Sequence, residues 1–563
     1  MLAKARSVAE EHLKKHLYKS ASFWAEKALV LSGNELQDVF LASQIFYASG
    51  EYQRASNLLQ KNSQYQQSSL LCYLLAKCHA ACKEWEVVLT ILSFVNFEAT
   101  KKVDKDLSKL TGIGNVESSC LLLEGIAHEN LGTIPKAIDC FTAALKADVY
   151  CVEALDHLTS KHYLTADEEK KLIIDLPFNK QCTHDEEAIL LYLYHSKAKG
   201  CKQLSNSVLP SSSKELENCT DVICGQAERK TTQVGYSLTR KVLEQDQYNE
   251  DAILLHVSSC VYQKKSTELY ALGQRLVSNF PDLPIAWYTV ACYYLTISQY
   301  ADAAKYLEKV LSIDKMFPHA WLAYGLSFAD RSEHDQAISA FSNAAHIMRG
   351  SHIPLLYLAR EYFHTGVTAI SIRFVKKALT MSPVDPVVLQ EVGFLLFHAE
   401  KYPLAEAYFK NAIVNLQTTD SSSSQMWEAV YNNLGHVCRK QGKYNMAMQM
   451  HKKALQIVPE QPSTLTDIAF VSLLMDKYDD AITFSTRSLQ LRRQDHLTLL
   501  ILETAVKQAS QVSVLPGVDL AAHQTIKKLD EDRLSTSTDM LIGRESMPST
   551  SSSSFHSDIS EEC

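Results

Sequence analysis

Four residues lie close enough in the chain to suggest a metal centre: Cys72, Cys78, His79 and Cys82. Thiolates and imidazoles are the usual ligands of zinc, but a zinc knuckle pairs its cysteines two to four residues apart, roughly one turn. The stretch LLCYLLAKCHAACKEW instead has the apolar recurrence of a helix running into a turn, so these sulfurs read as helix-face residues. His12 and His16 are four apart, as paired ligands on a helix would be, yet Leu13 stands where a metalloprotease has glutamate. Gly112 and Gly114 lack the third glycine and the lysine of a phosphate-binding loop. Glu168 and Glu169 occupy neighbouring helix positions, face different ways, and cannot work as an acid–base pair. No nucleophile elbow or kinase signature occurs. The expectation is a chain without catalytic residues, cofactor or metal, and therefore not an enzyme.

What these residues leave is non-covalent contact. In YNNLGHVCRKQGKY, helical spacing puts Asn432, His436, Arg439 and Lys440 toward one side, where an amide and cations can hold a peptide backbone and its acidic groups. The alternative is that all four are hydrated surface residues. Aromatics such as Tyr288, Tyr324 and Tyr431 read as core or edge packing.

The elements that position these residues follow from a period. Stretches beginning at Trp287, Trp321, Leu355 and Leu389 carry a small residue at Ala291, Gly325, Ala359 and Gly393, then a second small residue at Ala303, Ala337, Ser371 and Ala405. Large or branched residues follow at Leu307, Phe341, Val375 and Phe409, and the register returns at Gly435, Ala447 and Ala454, then at Ala469, Ala481 and Ser488. An interval of about 34 residues is that of the tetratricopeptide repeat, a pair of antiparallel helices. Gly325 and Gly435, with Ala337 and Ala447, leave no bulk where the two axes cross, and Phe341 fills the gap beside them. One pair cannot bury its apolar face alone, so pairs stack. The fold expected is all-α, a superhelical solenoid of about 12–14 helix pairs.

The same signature runs through Tyr18, Ala21, Ala25 and Ala28, through Tyr52, Ala55 and Leu59, and through Gly125, Ala137, Phe141 and Ala144. It weakens between 150 and 250, where Thr165 followed by three acids still signals a helix start. Residues 201–222 read as a mobile loop, dividing an N-terminal array at 1–200 from a C-terminal superhelix at 223–500. Residues 417–425, with four consecutive serines, read as a bulge between repeats. Serine, threonine and acids dominate 511–563, which predicts a disordered tail open to phosphorylation at Ser557 or Ser560, or serving as a plain spacer.

The 563 residues carry a formal charge of −8, and no basic stripe emerges, so neither nucleic acid nor an anionic membrane is an expected partner. No apolar run approaches the roughly 18 residues of a membrane span. The start of the chain, with Lys4, Arg6, Glu10 and Glu11, lacks the apolar core of a signal peptide, and an intracellular protein is expected.

Longer stretches carry more than repeat consensus: YKSASFWAEKALVLSG, KADVYCVEALDHLTSKHYLTADEEKKLI, AWYTVACYYL, AWLAYGLSFADRSEHDQAISAF, NNLGHVCRKQGKY and LRRQD. Over roughly residues 1–495 the chain resembles the family of the sixth subunit of the anaphase-promoting complex, or cyclosome, a large ubiquitin ligase. The resemblance implies a non-catalytic scaffold of the nucleus and cytoplasm that acts in mitosis. It implies a homodimer formed through residues 1–200, and a superhelix from Trp287 to Arg493 that encloses the start of a very small partner subunit and stacks on other repeat subunits. Ubiquitin transfer would belong to cullin-like and RING subunits. A repeat adaptor or co-chaperone that captures peptide motifs of unrelated partners is the alternative.

Overall fold

The computed structural model describes residues 1–61, 68–95, 116–198, 232–418 and 424–512. The expected loop at 201–222 and nearly all of the expected tail lie outside the described residues, as do the four serines at 421–424 except Ser424.

Helices follow one another throughout, and no strand occurs among the described residues. In the N-terminal array α1 (Leu2–Lys14) pairs with α2 (Tyr18–Ser32), α3 (Leu36–Ala48) with α4 (Tyr52–Lys61), α5 (Ser69–Ala81) with α6 (Trp85–Ser93), and α7 (Val116–Asn130) with α8 (Ile134–Ala147). Shorter helices follow: α9 (Val152–Ser160), α10 (Ala166–Asp175), α11 (Phe178–Gln181) and α12 (His184–Lys197). The C-terminal array opens with α13 (Thr232–Gln245). Its pairs are α14 (Glu250–Tyr262) with α15 (Ser266–Asn279), α16 (Pro284–Thr296) with α17 (Tyr300–Ile313), α18 (Pro318–Ala329) with α19 (His334–Ile347), and α20 (Ile353–His364) with α21 (Thr368–Met381). Then come α22 (Pro386–His398) with α23 (Tyr402–Thr418), α24 (Ser424–Lys440) with α25 (Tyr444–Ile457), α26 (Pro462–Leu474) with α27 (Tyr478–Leu491), and the closing α28 (His496–Val512).

Local chemistry sets the helix ends. Proline opens α16, α18, α22 and α26, where its missing N–H would have had no helical partner. The Thr165 hydroxyl and the Glu168 side chain cap α10 reciprocally, as the acid run suggested. The turn joining each pair places one residue in the left-handed region every 34 positions or so, at Ser298 (φ 61°), Ser332 (61°), Gly366 (78°), Glu400 (58°), Gly442 (73°) and Asp476 (59°).

Ala337, Phe341 and Ala447 are fully buried. A Cβ at Gly325 would sit 2.5 Å from the Phe341 ring, so the glycine is what allows the ring to lie flat on the α18 backbone. Successive first helices, such as α14 and α16, or α26 and α28, touch one another more than successive second helices do. The array therefore bends with the first helices on its inner wall.

The two arrays also meet directly. The Gly350 N–H, in the turn between α19 and α20, donates to the His162 carbonyl between α9 and α10 at 2.8 Å. Any side chain at Gly350 would collide with the Leu164 carbonyl. Ile347, Met316 and Trp321 join the apolar cluster built on Phe141, Leu158 and Tyr163, so N- and C-terminal residues share one core.

Candidate partner-binding wall

First helices supply the inner wall, and charged side chains tie each to the next. Arg6 of α1 holds Asp38 of α3 at 2.6 Å, and Glu129 of α7 takes His157 of α9 at 3.0 Å together with Lys161. Arg360 of α20 reaches Glu391 of α22 at 2.6 Å, and His436 of α24 reaches Asp467 of α26 at 3.2 Å. Asp38, Glu129, Glu391 and Asp467 are all nearly inaccessible. Burial by itself would raise the Asp38 carboxyl, but the hydrogen bonds and charge of Arg6 outweigh it and hold the group below its usual range. At Arg360 burial opposes the charge, and Glu391 more than compensates, raising the guanidinium further. Removing one member of such a pair would strand the other without solvent, at about 3–5 kcal/mol.

The wall is most polar at α24–α26. Asn432 donates through Nδ2 to Asp467 Oδ2 at 3.0 Å, and its Oδ1 is 2.6 Å from His451 Nδ1. His436 and His451 meet edge to face with centroids 5.2 Å apart, and the Arg439 guanidinium lies 4.9 Å from the Phe470 ring centre. The Thr464 hydroxyl donates to Glu428 at 2.7 Å; burial nonetheless pushes that carboxyl above its usual range, with Asp467 adding to the effect. Asn433 is buried, and its Nδ2 has no hydrogen-bond partner.

Of the four residues singled out on α24, the structure joins two into one network, Asn432 and His436, with Asp467 between them. Arg439 is buried against the neighbouring repeat, and Lys440 is half-buried at the end of the helix. His436 and Arg439 are thus buried between repeats. His451 escaped the sequence reading because its position is filled by Phe341 or Phe409 in other repeats. An imidazole at that aromatic position was the available signal. Asp467 could have been found too, since opposite charges about 31 residues apart, one repeat less one turn, recur at Arg6–Asp38, Arg360–Glu391 and His436–Asp467.

Elsewhere, His79 bonds Glu84 at 2.7 Å, and Cys72, Cys78, His79 and Cys82 do not converge into a ligand set. Tyr288 is buried, while Tyr431 stacks on Trp427 with centroids 5.9 Å apart. The N-terminal array shows two apolar features. Leu13, Phe40, Tyr47, Leu70, Tyr73 and Leu74 line a hollow, and the outer face of α2 exposes Phe23, Leu31 and Val30, the last by 80%. No described helix is long and apolar enough to cross a membrane.

Tetratricopeptide repeat models match residues 285–315 and 429–461, and the model of anaphase-promoting complex (cyclosome) subunit 3 matches residues 14–95. The human cell division cycle protein 16 homolog is 35% identical over 518 residues, covering 89% of this chain and 83% of that protein. Subunit cut9 of the Schizosaccharomyces pombe anaphase-promoting complex is 31% identical, with 88% and 75% covered, and subunit 6 from Arabidopsis thaliana is 30% identical, with 92% and 99% covered. A crystal structure of the APC/C hetero-tetramer Cut9-Hcn1 superposes with a TM-score of 0.71 at 29% identity, over 90% of this chain and 96% of that one. Repeat register, stacked architecture and whole-length identity agree: the chain belongs to the family of cell division cycle protein 16, subunit 6 of the anaphase-promoting complex.

Proposed function

We propose that the chain is a non-catalytic scaffold of the anaphase-promoting complex, and that it promotes ubiquitin-dependent degradation of mitotic regulators by holding other subunits in register. The observation that carries this reading is the likeness to Cut9 in a hetero-tetramer with Hcn1 over nine-tenths of this chain. By that likeness the N-terminal array, 1–200, pairs with a second copy, and the exposed Phe23, Val30 and Leu31 are apolar surface of the kind a self-association interface covers. The superhelix at 223–500 receives the start of a small partner subunit and stacks on other repeat subunits. Of the four residues singled out on α24, the half-buried Asn432 and Lys440 are the ones that a peptide backbone entering the wall would meet. Activity in nucleus and cytoplasm accords with that role.

Purification of the tagged full chain from cells under mild conditions tests the proposal. Subunits of the ubiquitin ligase, a cullin-like and a RING protein among them, are expected to come along. Recovery of chaperones alone, with none of those subunits, would favour the adaptor alternative and overturn this one.

A further inference from the structure

Between α14 and α15 lies a group of side chains that the assembly role does not use. His256 and Cys260 are four residues apart on α14, so they share one face, and both are buried. Glu268 comes from the first turn of α15, with its side chain 43% exposed. One ligand atom from each of the three lies within 4.8 Å of the others. Around a tetrahedral ion, bonds of about 2.0–2.3 Å place ligand atoms about 3.5 Å apart, a contraction that side-chain rotation can supply.

We propose that His256, Cys260 and Glu268 form a binding site for a zinc-class divalent ion that ties α14 to α15. The surroundings are those of a supported ligand set. The Thr239 hydroxyl, bonded back to the Gly235 carbonyl, lies 3.0 Å from His256 Nδ1. It therefore accepts from Nδ1–H, and Nε2 keeps its lone pair for a ligand. The Tyr236 hydroxyl donates to Glu268 Oε2 at 2.6 Å and so orients the carboxylate; the Cys260 sulfur is 3.9 Å from the same oxygen.

The charges balance. An arriving divalent ion bonds the Cys260 sulfur, the thiol proton leaves to solvent along the exposed side of Glu268, and one thiolate with one carboxylate neutralises the two positive charges. Lys265, whose Nζ is 4.0 Å from Glu268 and 3.4 Å from the centre of the Tyr236 ring, gives up its share of the carboxylate. A water completes the coordination. A nitrogen, sulfur and oxygen set selects zinc or cobalt over magnesium or calcium. The place also gives an ion something to do, because α14 and α15 touch each other less than the partners of any other C-terminal pair. Glu124, His128 and Cys140 form a second triad, but none of its members is fully buried.

The test is cobalt titration of the full chain, reduced and stripped with a chelator. One equivalent of Co²⁺ should bind with a thiolate-to-cobalt charge-transfer band, zinc should displace it, and the thermal midpoint should rise. Cys260→Ser should lose the band, Cys140→Ser should keep it, and Glu268→Gln, a change at a half-exposed position that should fold normally, should weaken binding at least about tenfold. Absence of saturable binding by the wild type, a band that survives Cys260→Ser, or unchanged affinity in Glu268→Gln would overturn the site.

Discussion

Two crossings of the solenoid share one backbone geometry and differ in one ring. At α18–α19 the glycine is Gly325 and the ring is Phe341; at α24–α25 they are Gly435 and His451. A Cβ on either glycine would stand 2.5 Å from its ring, so both repeats demand the same close approach. The phenyl ring is satisfied by burial alone. The imidazole also holds its Nδ1 2.6 Å from Asn432 Oδ1, and Asn432 leads onward to Asp467 and His436. Phe341 reaches the next repeat by stacking on Tyr357 of α20, whereas the exchange of ring adds a polar link between repeats.

Breaking the apolar crossing should have the largest effect. Phe341→Ala leaves a ring-sized void under α18 and should cost about 3–5 kcal/mol by urea unfolding. A repeat array whose C-terminal half unfolds at unchanged denaturant concentration would contradict this packing.

A third imidazole sharpens the contrast. His398, at the end of α22, lies among Phe363, Phe394 and Phe397, with ring centres 4.9, 4.4 and 5.6 Å away, and its Nε2 has no hydrogen-bond partner. Burial, helped by the nearby His364, lowers it to about 4. The folded state therefore binds fewer protons than the unfolded chain below the ordinary value of 6.5. The stability it permits is complete above that value and falls as pH drops toward 4, by about 3 kcal/mol at most, since one unit is worth about 1.4. Unfolding free energies at pH 7.5 and pH 5 should differ less in His398→Phe than in the wild type. An equal difference in both would show that another group carries the pH dependence.

Gly435→Leu should overpack the polar crossing and cost about 1–3 kcal/mol, read as a lower thermal midpoint of the C-terminal half. His451→Phe should have the smallest effect, within about 1.5 kcal/mol, because it restores the ring of the other repeats while leaving Asn432 one partner short. If His451→Phe proved as damaging as Gly435→Leu, the network would matter more than the packing.

How much of this could be read beforehand depends on range. Gly325, Ala337 and Phe341 were legible because a crossing involves residues within one repeat, and their types recur at fixed spacing. Asn432 and His436 were picked out, but their partner Asp467 sits one repeat away, and nothing local marks it. Reading the period as strictly apolar also passed over His451. The contact of Gly350 with His162 and Leu164 was hidden more deeply: it joins backbone to backbone across some 190 residues and leaves no side-chain pattern beyond the glycine itself. The alternative reading of His436 and Arg439 as hydrated surface could not foresee the stacking that buries both against the next repeat.

In the proposed role, stacked pairs present one surface to a second copy and another to a small subunit. Native mass spectrometry of the full chain, coexpressed with the small partner subunit, tests that most directly. Two copies of each chain in one complex, reduced to single copies by Val30→Glu together with Phe23→Glu on α2, is the predicted result. A well-folded monomer at micromolar concentration that ignores the partner would contradict it.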